Sequence, residues 1–154
     1  MKSVFGVLNA YNYWLEVIQP NWASYSSASS ARHAFNLATS MWHVLEWIEQ
    51  DEAHPWNTKA AVRAHFENLC SDLGVMHDIA TLGKHVSIDP TRDRGGVRDG
   101  EGETNAVVLH FGAGVPIMER PIDFVVTFKD GRQRPLREVF NAVYRFWFMF
   151  FEGR

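Results

Sequence analysis

Cysteine is nearly absent from this chain of 154 residues. The single example, Cys70, excludes an internal disulfide framework and a cysteine zinc site within one chain; among apolar neighbours it reads as an inert core thiol. Long apolar runs are missing as well. The longest, Phe146–Phe151, is far below the roughly 20 residues of a helical membrane span. Val4–Leu8, interrupted by Gly6, is too short for a signal-peptide core. Neither charge sign dominates: 15 Lys+Arg against 18 Asp+Glu leave a formal net charge of -3. A general electrostatic grip on nucleic acid is therefore not expected, although a local basic patch stays open. There is no Gly-rich phosphate loop of Walker or dinucleotide type. Gly112-Ala113-Gly114 follows a strand pattern but runs into Val115-Pro116 rather than a helix start. A nucleophile elbow and a His-Glu-x-x-His motif are also missing. The expectation is a soluble cytoplasmic protein with no cofactor and no membrane partner.

What is present is apolar mass. Hydrophobic residues make up 46% of the chain, with Trp 6 and Phe 11, enough for a real core in one domain spanning 1–154. Val4, Leu8, Tyr11, Leu15 and Ile18 recur at helical steps, and Pro20 is expected to stop that helix. Asn21–Ser30 reads as a Ser-rich loop, with Ser29 or Ser30 as the next cap. Residues 31–50 give the longest helix. Its apolar face is Ala34, Leu37, Ala38, Met41, Val44, Leu45 and Ile48; Asn36, Thr39, Ser40, His43, Glu46 and Trp47 share the other. Asn57 or Thr58 caps a helix to about Leu69, with Ala61, Ala64 or His65, and Leu69 inward. Ser71 and Asp72 open a further helix that buries Leu73, Met76, Ile79 and Ala80 alongside Leu69 and ends at Gly83.

The second half changes character. Val86–Ile88, Asn105–Phe111 and Ile122–Lys129 read as strands, the last with Ile122, Phe124, Val126 and Phe128 on one face. Asp130-Gly131 signals a hairpin to a return strand at Arg132–Arg134. The polar stretch at 89–104 is expected to be a mobile loop; it lacks the ligand order of an EF-hand. Pro135 suits the first turn of a final helix with Leu136, Val139, Phe140, Val143, Trp147 and Phe150 as core stripe. From Phe146 onward that helix is apolar all round. Either it runs through the middle of the fold or its far side meets another chain, with a homodimer as the simplest case. The fold class is α+β: an N-terminal bundle of about four helices, a small mostly antiparallel sheet and a C-terminal aromatic helix.

The candidate chemistry lies where the fourth helix meets the first strand. His77, Asp78, Lys84 and His85 offer two groups that titrate near neutral pH and a cation, the set that metal-independent RNA cleavage needs. On an unbroken helix His77 and His85 would stand about 12 Å apart along the axis. A bend at Gly83, or a second chain, would then be required for them to share a phosphate. The bland alternative is structural: His77 at the core edge, Asp78 bonded locally, Lys84 and His85 neutralising the helix C-terminus. Arg32, His43 and Trp47 are candidate binding residues, Trp47 because a tryptophan on a polar face is either covered by another element or meets a ligand. His43 and Glu46 supply two metal ligands at most, so no metal is expected.

Two segments carry a resemblance. Ala31–Trp47, ARHAFNLATSMWHVLEW, and Met76–His85, MHDIATLGKH, resemble a family of small, uncharacterised bacterial proteins. These carry a Trp-His-Leu-x-Asp/Glu-Trp block and an Arg-Asp-Ile-Ala…Lys-His block, followed by strands and a terminal aromatic helix. The second block is also loosely similar to the corner of HEPN-type helical domains, where an Arg and a His a few residues apart cut RNA, often across a dimer. Here His77 stands in the place of the Arg, and seven residues separate it from His85. Two functions follow as expectations. One is an interaction protein that self-associates through its last helix and acts by occupying a protein partner. The other is a HEPN-like ribonuclease or nucleotide-modifying factor, which implies RNA binding in a groove containing Arg32, Lys84 and His85.

Overall fold

The computed structural model describes residues 6–52, 58–82, 107–109 and 124–153. Helices dominate and a small antiparallel sheet joins them, so the chain is α+β. The expected strand at Val86–Ile88, the loop at 89–104 and the helix stop at Gly83 lie outside the described residues.

The first helical rod departs from the sequence reading. Asn9 caps it by accepting the Asn12 N–H at 2.8 Å. It then runs as α1 (Ala10–Tyr13), a π-helical turn (Trp14–Ile18) and α2 (Gln19–Ser27) without a break. Pro20 does not stop it, and Asn21–Ser27 is helix rather than loop. The physical reason is the π turn. The Gln19 N–H reaches back five residues to the Trp14 carbonyl, so the backbone is already widened where Pro20 lacks a donor. The buried stripe shifts accordingly to Ala10, Trp14, Ile18 and Tyr25, while Leu8 (55%) and Tyr11 (37%) remain exposed.

Helix α3 (Ala31–Gln50) matches the periodicity. Ser30 caps it through the His33 N–H, and the seven apolar-face residues are all buried. Thr58 caps α4 (Lys59–Leu69) through the Ala61 N–H at 3.2 Å. Its inward face is Val62 and Phe66, and Ala61, Ala64, His65 and Leu69 are exposed. Leu69 (61% exposed) is also absent from the buried face of the next helix. Helix α5 (Asp72–Leu82) is the central element. Leu73 to Met76 and Asp78 to Ala80 are all buried, around the half-buried His77. It packs against α3, α4 and α6.

The sheet has order β1-β2-β3, with β1 (Val107–Leu109), β2 (Phe124–Thr127) and β3 (Gln133–Pro135) antiparallel throughout. Val126 pairs with Val107 on one side and Arg134 on the other. Phe124, Val126 and Phe128 are buried, as alternation requires. The hairpin turns at Gly131, whose φ of 83° favours glycine. Pro135 sits at the N-cap of α6 (Leu136–Glu152).

Three polar ties fix the layers. Arg134 donates to both Asp72 oxygens at 2.7 and 3.1 Å and clamps β3 to the start of α5. The Trp147 indole N–H donates to the Met41 carbonyl at 3.1 Å, anchoring α6 on α3. The Trp14 indole N–H donates to Glu152 at 2.8 Å, holding a carboxylate at a helix C-terminus that disfavours negative charge. Helix α6 is two-faced. Leu136, Val139, Phe140, Val143, Trp147 and Phe151 are buried, Phe146 and Phe150 lean on Phe66, and Phe148 and Met149 remain 46% and 65% exposed. No described helix is long and apolar enough to cross a membrane.

Candidate functional site

Burial on nearly all sides of α5 leaves His77 as a polar side chain at its edge, with 14% of its side chain exposed. Asp78 next to it is fully buried. Adjacent residues on a helix diverge by about 100°, yet His77 Nδ1 and Asp78 Oδ1 meet at 2.9 Å. With Nδ1–H donating to that carboxylate, Nε2 is left as the acceptor, the orientation in which an imidazole can take a proton.

The imidazole packs against α3, and through Trp42 the contact continues to α4. Its ring meets Trp42 edge to face at 4.9 Å, and the Arg63 guanidinium lies 5.1 Å from the centre of the Trp42 ring. Arg63 also reaches Glu46 at 3.4 Å, and Lys59 donates to the same carboxylate oxygen. Burial works against the charged form of Glu46. The hydrogen bond and charge of Lys59, with His43 and Arg63, outweigh it and hold the carboxyl below its usual range. The region is thus a relay of aromatic rings and paired charges from α5 to α4.

A second polar region lies on the other flank of α3. Tyr13, at the entry of the π turn, stacks on Trp47 with centroids 5.3 Å apart and planes 26° from parallel. That contact accounts for the tryptophan on the polar face: the first helical rod covers it. Burial, then the nearby Glu46 charge, pushes the Tyr13 phenol up to about 12. Beside this pair lies a cleft of about 430 Å³ between the π turn, α2 and α3, with Ala80 of α5 also on its wall. Its polar wall carries Asn21, Asn36, Thr39 and Ser40.

Of the sequence candidates, His77 and Asp78 are brought together, and His43 acts on Glu46 through its charge. Trp47 belongs to the Tyr13 side. Arg32 is exposed at the start of α3 beside His33, with 3.1 Å between side-chain nitrogens; it stands about 16 Å along the axis from His43. Lys84 and His85 lie outside the described residues. Sequence reading missed Trp42, Lys59 and Arg63, because their meeting depends on how α4 crosses α3. Cys70 is half-buried, and burial followed by the Asp72 charge pushes its thiol up, away from the reactive thiolate. Among the described residues, no group of three or more His, Cys, Asp or Glu side chains is placed to hold a metal ion. No family model matches this chain, and neither a curated protein nor a solved structure matches it.

Proposed function

We propose that the chain is an interaction protein that pairs with a second copy of itself through the outer stripe of α6 and works by occupying a partner. The observation that carries this is the make-up of that stripe. Phe148 and Met149 are 46% and 65% exposed, and exposed Arg145 and Glu152 flank them at equal distances along the helix. All four fall within one face at helical spacing. If two such helices cross antiparallel about a two-fold axis at Phe148/Met149, Arg145 of each copy stands opposite Glu152 of the other, and the apolar pairs meet between them. The surface is therefore complementary to itself in charge as well as in apolarity. We place the protein in the cytoplasm, where a single thiol held in its unreactive form suits a reducing compartment.

Sedimentation velocity across a concentration series tests this reading. The wild type is expected to dimerise in the micromolar range. Met149→Glu and Arg145→Glu are expected to give monomers with unchanged circular dichroism. A wild-type chain that stays monomeric at every concentration overturns it.

One observation favours a second reading, a HEPN-like metal-independent ribonuclease or nucleotide-modifying factor using His77, Lys84 and His85. It is the 2.9 Å contact of His77 with a buried carboxylate, which fixes the ring for proton transfer. Chelator-resistant RNA cleavage that disappears in both His77→Ala and His85→Ala supports this reading. Wild-type protein that leaves RNA intact removes it.

A further inference from the structure

The cleft beside Tyr13 is built, among the described residues, from side chains that share one property: none is charged. Its wall carries Tyr13, Asn21, Phe35, Asn36, Thr39 and Ser40, with Val17 and Ala80 between them. Asn21, Asn36 and Thr39 make no side-chain hydrogen bond among the described residues. Ser40 is buried and donates its hydroxyl proton to the Leu37 carbonyl at 2.9 Å, which leaves its oxygen as an acceptor. Two carboxamides therefore each present a donor and an acceptor side by side, and two aromatic rings, Tyr13 and Phe35, supply flat apolar surface around them. The π turn contributes Val17 and is flanked by Tyr13, and such widened turns are frequent at functional sites.

We infer that this cleft binds an uncharged planar heteroaromatic ring with neighbouring donor and acceptor atoms, the chemistry of a purine or pyrimidine base. Carboxamides pair bidentately with such edges, and flat rings stack on aromatic side chains. The volume, about 430 Å³, lies within the range of small-ligand sites. A phosphate or carboxylate ligand does not fit the lining. Among the described residues its wall holds no cation, and the charge that acts on Tyr13 is the Glu46 carboxylate. The phenol stays protonated at every physiological pH, so it adds a donor and no charge. A ribose or phosphate attached to the base is expected to project into solvent and contribute little. This inference is independent of pairing through α6, which uses a different surface.

The test is a titration of the isotope-labelled full chain, followed by amide NMR, with adenine, cytosine and uracil at millimolar concentration. At least one base is expected to shift the side-chain amide signals of both Asn21 and Asn36. Asn36→Ala is expected to weaken binding about tenfold, the loss of one bidentate contact. Asn36 is an exposed helical position where alanine is a better helix former, so the fold is retained. Thr39→Val provides a second variant with its shape nearly unchanged, and it too is expected to bind more weakly. Adenosine and adenosine monophosphate are expected to bind within about twofold of each other, because no described residue of the wall is a cation. The inference is overturned if no base shifts either amide, or if glucose shifts them and the bases do not. Wild-type affinity in both variants, or a phosphate that strengthens binding by more than about tenfold, overturns it equally.

Discussion

Phe66 and Leu69 sit three residues apart on α4, and truncating each to alanine asks which face of that helix the fold uses. Phe66 is 1% exposed. Its ring lies 5.3 Å from Trp147, 5.2 Å from Phe150 and 6.1 Å from Phe146, measured between centroids. It is therefore the main wedge between α4 and α6. Removing a buried phenylalanine costs about 3–5 kcal/mol through lost transfer energy and the cavity left behind. Each aromatic pair accounts for about 0.5–1.5 kcal/mol on top of area burial. With three rings around it on α6, Phe66→Ala is expected at the upper end, about 4 kcal/mol. For a domain of this size that lowers Tm by about 8–16 °C. Leu69 is 61% exposed, so Leu69→Ala is expected within about 0.5 kcal/mol of wild type. Urea unfolding followed by circular dichroism and tryptophan fluorescence measures both. A Leu69→Ala cost equal to or above that of Phe66→Ala refutes the packing described for α4.

Two other outcomes follow from the polar contacts. Burial, reinforced by the Glu46 charge, lifts the Tyr13 phenol from 10.0 to about 12. The folded state thus favours the protonated form. Its contribution is fully present below about pH 10 and is lost as pH rises through about 12. The urea midpoint should fall across that window, and Tyr13→Phe should flatten the fall and remove the latest tyrosinate absorbance to appear; a midpoint insensitive to Tyr13→Phe refutes this. Arg134→Ala leaves Asp72, whose side chain is 15% exposed, without its bidentate partner. The expected loss is about 1–2 kcal/mol, with Arg134→Lys recovering only part because an ammonium cannot make the forked contact. Equal stability of wild type and Arg134→Ala, measured by urea unfolding, counts against that clamp.

Much of the architecture was legible because single strong signals wrote it. In α3 an uninterrupted 3.6-residue period leaves one helix, with the choice of cap between Ser29 and Ser30 still open, and Asp130-Gly131 between alternating strands leaves one turn. The first rod escapes a sequence reading because Pro20 normally ends a helix, and nothing local in the sequence announces the π turn that closes at Ile18, two residues earlier. In α4 two sets of residues share helical spacing: Val62 with Phe66, and Ala61 with Ala64, His65 and Leu69. Periodicity alone does not choose between them, and bulk decides, since the larger ring fills the gap left by α6. The polar stripe of α3 was visible, including Asn36, Thr39 and Ser40. Its companion Asn21 was hidden by the same misplaced helix end. His77 and Asp78 were found individually, while their meeting depends on side-chain torsions that helical geometry alone does not fix.

The five-residue step at Trp14–Ile18 bears on how this chain would align with another. A π turn amounts to one residue inserted into an ordinary helix. A counterpart with a regular coil in this stretch is expected to be one residue shorter there, so the two sequences drift out of phase by a single gap. In that counterpart the donor at the position of Pro20 would again be needed by the ladder, and proline would be disfavoured. Proline and the extra residue should therefore arrive or depart as a pair.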